Sequence, residues 1–342
     1  MAFGLGQDMG LDLGTATILV YVAGRGIVVR EPSMLAIDRG TGEVIAIGEK
    51  ARQMLGRTPG NIVALRPLKD RVIADFDSTE KIIRYFIERV QGASIWKRSR
   101  MVICTPAQIT GVEERAVRQA ALQAGARQVF MIEEPIAAAL GAGLDISAPQ
   151  ASMVMDIGGG TTDVAVLSLG GIVCSASLKV AGDKMDEAII RYVRREHNPV
   201  IGEKTGEELK KTIGTAHPSC RWQSSMEVRG RDVVSGLPRT VKISAPEVFE
   251  ALQEPLQQIV GAIREVLEKT PPELSADLVD KGMVLTGGGS LLAGIDTLLA
   301  EETGLPVYIA EDPVSCVALG TGKALAMMDI LAKRARVDQN RP

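Results

Sequence analysis

What is scarce in this chain narrows its class before any motif is read. Among 342 residues there are four cysteines and two histidines, and aromatic residues make up 3%. Cys104, Cys174, Cys220 and Cys316 are scattered with no C-x-x-C pair. That excludes a disulfide scaffold and reads as reduced thiols of a cytosolic protein. His217 and Cys220 could bring two metal ligands together, but no second pair completes a zinc site, so 217–220 reads as a loop. An excess of one charge is lacking too. Lys+Arg 39 against Asp+Glu 42 gives −3, with no surplus of cations for a nucleic-acid partner. No apolar run reaches the roughly 18 residues of a membrane span. The longest uncharged run, 164–178, is broken by Gly170-Gly171 and reads as two strands joined by a turn. Residues 1–7 lack the basic start and apolar core of a signal peptide.

Glycine is what the chain has in plenty: 36 residues, about one in ten against a usual ~7%. Many glycines mean many tight turns and close backbone approaches, which is how phosphates are often held. The length suggests two domains. Strand and helix patterns alternate, which argues for an α/β fold. Apolar residues at 82, 83, 86, 87 and 90 form one helical face across 77–91. Thr110-Gly-Val-Glu113 and Ser244-Ala-Pro-Glu247 are capping boxes that open helices to about 124 and 269. A helix follows Glu133-Glu134-Pro135 through 140, and a last one spans about 314–332, leaving a charged tail expected to fray.

The pattern starts twice. Asp12-Leu-Gly-Thr15 and Asp156-Ile-Gly-Gly159 each place an aspartate at the end of an apolar strand, before a glycine turn and a second strand. The copies stand almost half the chain apart, which reads as duplication of a domain. A glycine turn exposes successive N–H groups to an anion. Thr15, Thr17, Thr161 and Thr162 add hydroxyl donors. An aspartate beside phosphate needs a cation between them, and Mg²⁺ suits because it keeps its waters. Taken alone, Asp12-Leu-Gly-Thr15 reads as an ordinary hairpin turn with aspartate as turn-former. Asp156-Ile-Gly-Gly-Gly-Thr-Thr-Asp163 is more specific, because three consecutive glycines are costly to order. Leu285-Thr-Gly-Gly-Gly-Ser290 is a third such turn, between a strand and a helix beginning near Ser290.

These turns, with Ile132-Glu-Glu-Pro135 and Ala181-Gly-Asp183, resemble the actin, Hsp70 and sugar-kinase ATPase superfamily, and within it the MreB/Mbl family of bacterial actins. The similarity covers nearly the whole chain. It extends to Arg30-Glu-Pro-Ser33, Gly56-Arg-Thr-Pro-Gly60, Arg66-Pro-Leu-Lys-Asp70, Val72-Ile-Ala-Asp75, Ser235-Gly-Leu-Pro-Arg239 and Thr270-Pro-Pro-Glu-Leu274, none of which ATP binding in general requires.

The resemblance implies an α/β, actin-like fold of duplicated ribonuclease-H-like domains flanking a nucleotide cleft, with two smaller inserted subdomains. The halves are expected at 1–150, with an insert at about 32–75, and 151–342, with an insert at about 182–243. The last helix is expected to pack back on the first half. ATP and Mg²⁺ are the implied ligands. Gly14, Thr15, Ala16 and Thr17 would form the first phosphate loop, and Gly158, Gly159, Gly160 and Thr161 the second. Gly287, Gly288, Gly289 and Ser290 would support the adenosine. Glu207, Glu208, Leu209 and Lys210 would line ribose and base, with Gly182 and Asp183 near the sugar. Glu134 matches the residue that orients the attacking water, and Asp12 and Asp156 would hold Mg²⁺ through water. The first loop lacks the lysine that actin carries there, as MreB-type sequences do, which points to slow turnover.

An ATPase without an evident substrate site uses its nucleotide as a switch. The family implies homopolymeric filaments at the inner face of the cytoplasmic membrane, working with membrane proteins of the cell-elongation machinery to maintain rod shape, and no nucleic-acid partner. Ile95 and Trp96, followed by Lys97, Arg98 and Arg100, suit insertion into an anionic membrane interface or packing on their own domain. The family's apolar loop at this place favours the membrane. Three alternatives are weaker. A plasmid-partition actin does not account for Trp96. An Hsp70-like chaperone needs a peptide-binding domain after the ATPase, and the sequence reads to Pro342 just past its last helix. A small-molecule kinase needs an acceptor pocket that 182–243 do not signal.

Overall fold

In the computed structural model, residues 7–66, 76–91, 99–107 and 109–339 are described. The chain divides into two compact units, Met1–Asp145 with Val314–Pro342, and Ile146–Pro313.

The first unit begins with β1 (Met9–Leu13), β2 (Thr17–Val22) and β3 (Gly26–Pro32). A small group follows: β4 (Leu35–Asp38), β5 (Val44–Ile47), α1 (Glu49–Met54) and β6 (Ile62–Leu65). Then come α2 (Phe76–Gln91), β7 (Arg100–Thr105), α3 (Gly111–Gln123), β8 (Gln128–Glu133) and α4 (Glu134–Ala142). The main sheet has the order β3-β2-β1-β7-β8, and the small group forms its own sheet, β5-β4-β6. Strand β1 is antiparallel to β2 and parallel to β7, and β7 is parallel to β8. Ile82, Ile83, Phe86 and Ile87, the apolar stripe of α2, are buried with Met9, Leu11, Val20 and Ile103 in one core. The Thr110 capping box is present, with Glu113 Oε2 accepting from the Thr110 amide at 2.9 Å.

The second unit comprises β9 (Ser152–Ile157), β10 (Thr162–Ser168), β11 (Gly171–Leu178), α5 (Gly182–His197), β12 (Pro199–Val200) and α6 (Glu203–Ile213). It continues with β13 (Ser225–Asp232), β14 (Pro238–Ser244), α7 (Ala245–Lys269), α8 (Pro272–Lys281), β15 (Met283–Thr286), α9 (Ile295–Thr303) and β16 (Val307–Ile309). Its main sheet is β11-β10-β9-β15-β16. Strand β9 is antiparallel to β10 and parallel to β15, which is parallel to β16. This repeats the strand order and directions of the first unit, with β9 in the place of β1. The uncharged run 164–178 lies in the hairpin of β10 and β11. Every residue of β9 and β10 is buried, which explains why their sequences run apolar without alternating. A separate core packs behind them, including Met153, Val164, Met185, Leu252 and Ile259. Strands β12, β13 and β14 form a small sheet of their own.

The last helix, α10 (Cys316–Gln339), belongs to the first unit, where it packs against α4 and β1. Its contact with α4 is backbone to backbone. A Cβ on Gly141 would lie 1.7 Å from Cys316 O, and one on Gly320 would lie 1.9 Å from Ala137 O. The charged tail was expected to fray, yet helix continues through it to Gln339. The reason is in its composition: 331–339 hold alanine, leucine, lysine and arginine with no glycine or proline. The helix expected from Ser290 is also displaced. Gly288–Leu291 form a single 3-10 turn, and α9 starts at Ile295 after left-handed Gly294.

Candidate functional site

In open α/β sheets, ligands gather at the carboxyl ends of the strands. Both aspartates of the duplicated motif stand there. Asp12 is the fourth residue of β1 and Asp156 the fifth of β9.

In the first unit the turn between β1 and β2 carries Gly14, Thr15 and Ala16, with Thr17 opening β2. The turn is tight against its own backbone. A Cβ on Gly14 would lie 2.6 Å from Thr17 O and 3.7 Å from Asp12 Oδ1, which puts the Asp12 carboxylate beside the turn. Thr15 is 2% exposed, and its hydroxyl has no hydrogen-bond partner in the protein. The amide of Ser33 donates to Ala16 O at 2.9 Å and fixes the turn's far side. Glu134 is the first residue of α4, directly after parallel strand β8, with Pro135 behind it. The carboxylate is buried. A helix N-terminus favours an acidic group, and the fixed φ of proline suits this first turn.

The second unit brings together more of the candidates. Gly158 N donates to Thr161 O at 2.9 Å and closes the turn. The turn is also tied to the start of α5. Gly182 N donates to Gly158 O at 3.2 Å, and Asp183 N to Gly159 O at 2.7 Å. Thr161 is 3% exposed, and its hydroxyl, like that of Thr15, has no hydrogen-bond partner in the protein. A buried hydroxyl left so costs about 1–3 kcal/mol, and each of the two turns holds one, Thr15 in the first and Thr161 in the second. The neighbouring Thr162 is satisfied, donating to Val180 O at 2.7 Å.

Thr286 at the end of β15 donates to Asp156 Oδ1 at 2.8 Å. Beyond it, Gly287 has φ of 80°, and a Cβ there would lie 2.3 Å from Ile157 O. A Cβ on Gly289 would lie 2.3 Å from Ile157 Cγ2. The third glycine turn is therefore packed onto the residue that leads into the second. Ser290 is fully buried, and its hydroxyl donates to Gly287 O at 2.7 Å. Gly288 has open space where a side chain would stand.

Helix α6 divides the four residues expected to line ribose and base. Glu208 is exposed and Leu209 lies in the core. Glu207 pairs with Lys211. Lys210 turns toward α5, donating to Gly182 O at 2.7 Å and approaching Asp186 Oδ1 at 2.8 Å. Burial pushes the Asp186 carboxyl up to about 6, against the opposing pull of Lys210. Asp186 and Thr286 were not singled out from the sequence. An aspartate in a helix rich in charge reads as a solvated face, and a threonine before three glycines reads as part of the turn.

Ile95 and Trp96 lie outside the described residues, as do 67–75 of the family-like segments. The His217–Cys220 segment is a loop. His217 Nδ1 lies 2.7 Å from Ser219 Oγ, and its Nε2 lies 3.2 Å from Glu301. Among the described residues, no group of three or more His, Cys, Asp or Glu side chains is placed to hold a metal.

Comparison with known proteins follows the same lines. The MreB/Mbl protein family matches residues 6–333. The chain belongs to the MreB/Mbl family. It is 55% identical over 329 residues to the cell shape-determining protein Mbl of Bacillus cereus, covering 96% of this chain and 98% of that one. It is also 55% identical to the cell shape-determining protein MreB of Escherichia coli K12, over 95% of this chain and 94% of that one. Among solved structures, MreB 5 of Spiroplasma citri bound to AMPPNP superposes with a TM-score of 0.93 at 39% identity. That match covers 97% of this chain and 99% of the other. A chain from the MamK double helical filament matches at TM-score 0.79 and 19% identity, over 94% and 98% of the two chains, a likeness of fold alone. This MreB/Mbl chain has the actin-like fold.

Proposed function

We propose that this protein binds and hydrolyses ATP, and that nucleotide state governs its assembly into membrane-associated filaments that organise wall synthesis and keep cells rod-shaped. The observation that carries the reading is the pair of aspartate–glycine turns at equivalent strand ends, each with a buried threonine hydroxyl lacking a protein partner. Such hydroxyls, beside turns that expose backbone amides, suit the oxygens of a polyphosphate. Supporting it are the names and ligands of relatives: two cell shape-determining proteins, and MreB 5 of Spiroplasma citri bound to AMPPNP and to ADP.

In this reading Gly14–Thr17 and Gly158–Thr161 bind phosphates. Gly287–Ser290 carry the adenosine on backbone that side chains would obstruct, and Glu207 and Lys210 meet the sugar. Glu134 accepts a hydrogen bond from the attacking water and orients it, its carboxylate fixed by burial at the head of α4. Asp12 and Asp156 would hold Mg²⁺ through water. The donor set fits, because Mg²⁺ at phosphate sites is bound through one or two carboxylates plus the phosphates themselves. The ion would supply charge neutralisation to the phosphates. Phosphoryl transfer asks mainly for positioning and charge neutralisation, and the amides, hydroxyls and oriented Glu134 carboxylate would supply the positioning beside the ion. Ile95 and Trp96 with the following cations would contact the anionic inner face of the membrane. No helix among the described residues is long and apolar enough to cross it.

Electron microscopy of the purified protein with Mg-ATP, with and without anionic vesicles, tests this. Filaments lying on the vesicles are expected, and Trp96→Ala should leave filaments detached from lipid. Dispersed protein that nonetheless binds ATP would move the reading to a non-polymerising ATPase of the same superfamily.

A further inference from the structure

In one buried charge pair beside the second phosphate turn, Lys210 meets the sugar in the reading above while its partner Asp186 has no part in it. Asp186, on the second turn of α5, is 8% exposed, and its Oδ1 stands 2.8 Å from Lys210 Nζ of α6. The same ammonium donates to Gly182 O at 2.7 Å. The amides of Gly182 and Asp183 donate to Gly158 O and Gly159 O of the turn. A Cβ on Gly206 would lie 2.8 Å from Ile190 Cγ1 and 3.4 Å from Asp186 O, so α5 and α6 meet at close range beside the pair. A line of contacts therefore runs from Asp186 through Lys210 and Gly182 to the phosphate turn.

The other charges around Asp186 are few. Glu207 of α6 and Asp183 of α5 both act against its ionisation. Helix α7 also packs on α5, but Glu254, Glu250 and Glu247 there meet Arg191, Tyr192 and His197 further along. Lys210 is the cation that keeps Asp186 ionised.

We propose that Asp186 is a positioning residue for Lys210: its carboxylate holds the ammonium on Gly182 O, and nucleotide affinity depends on the charge of Asp186. The inference rests on the ATP reading above and deepens it. The expected pH dependence has a definite sign. The Asp186 carboxyl titrates at about 6, raised by burial. Above that value the pair is ionic and Lys210 is held. As pH falls through it the carboxyl takes up a proton, the ion pair is lost, and nucleotide binding weakens. Lys210 faces the sugar in this reading, so ATP and ADP should be affected alike, and turnover at saturation little.

The test is equilibrium binding of Mg-ATP and Mg-ADP to the full chain, wild type against Asp186→Asn, between about pH 5 and 7.5, across the titration. Comparing the proteins at each pH cancels titration of the nucleotide phosphates. Asp186→Asn should bind both nucleotides about fivefold more weakly at the upper end, the scale of one ordinary hydrogen bond, because the Lys210 contact is loosened and its charge is kept. The gap should close toward the lower end. Lys210→Gln should give the same loss, and the double variant no further loss, because one contact is being removed. If Asp186→Asn does not fold, Lys210→Gln alone must lose the wild type's extra affinity at the upper end and match it at the lower. Equal affinity at neutral pH, or a gap that persists unchanged to the acid end, would overturn the inference. Failure of the wild type to bind either nucleotide at any pH would overturn the ATP reading itself.

Discussion

A single methyl group on Gly141 probes the packing that holds Glu134. Gly141 is the last residue but one of α4, where replacing glycine with alanine gains at most about 1 kcal/mol of helix propensity. At Gly141 the new Cβ would stand 1.7 Å from Cys316 O, 2.4 Å from Cys316 C and 2.8 Å from its Cα. The obstruction is backbone of α10, which no rotamer change relieves. Reaching ordinary contact of about 3.4 Å requires α4 and α10 to part by roughly as much as they now lie short of it. Overpacking of this kind costs about 1–3 kcal/mol, and rigid backbone on both sides places this case at the upper end. The net expectation is a loss of about 2 kcal/mol, or a melting temperature lower by about 4–8 °C for a unit of this size. Gly261→Ala is the matched control. It is exposed in the middle of α7 with nothing within 4 Å of the added Cβ. There the same substitution should stabilise by about 0.5–1 kcal/mol. Thermal unfolding of both variants reads the two signs directly. Because α4 begins at Glu134, its displacement by about 1 Å should also slow phosphate release by up to about a hundredfold. Gly141→Ala melting at or above the wild type would refute the packing argument. Slowed release in Gly261→Ala would refute the assignment of that effect to α4.

Further expectations follow from individual groups. Glu134→Gln should leave ATP affinity within about twofold while lowering single-turnover hydrolysis by about 10²–10³, since an oriented water is lost and binding contacts are not. Thr161→Val should weaken ATP binding and raise the melting temperature of the nucleotide-free protein, because it removes a buried hydroxyl without a partner. Differential scanning fluorimetry with and without ATP reads both effects. Burial works to raise the carboxyl of Glu247, but Ser244 and His197 outweigh it and hold the group below its ordinary value. Its contribution to stability is thus present above about pH 4.5 and lost as pH falls through the lowered folded value. Glu247→Gln should accordingly flatten the acid limb of a stability-against-pH curve.

Much of this architecture is written in short strings. Asp12-Leu-Gly-Thr15 and Asp156-Ile-Gly-Gly159 revealed the duplication because each copy must end a strand and turn sharply within a few residues. The capping boxes at Thr110 and Ser244 were legible for the same reason: their chemistry is local. What escaped was long-range. Gly141 and Gly320 look like weak points in helical segments, and only the approach of α4 to α10 shows why no side chain fits there. Family resemblance sets Lys210 near the sugar, but only the packing of α5 brings Asp186 and Gly182 O to its ammonium. Thr286 becomes a partner of Asp156 only through the parallel register of β15 with β9.

The central claim is that one chain couples ATP hydrolysis to self-assembly. It is tested most directly by sedimenting the purified protein after Mg-ATP addition while phosphate release is followed in the same sample. The account predicts that protein enters the pellet only with nucleotide, that phosphate release accompanies assembly, and that Glu134→Gln pellets without releasing phosphate. Phosphate release at an unchanged rate from protein that stays wholly in the supernatant would contradict it.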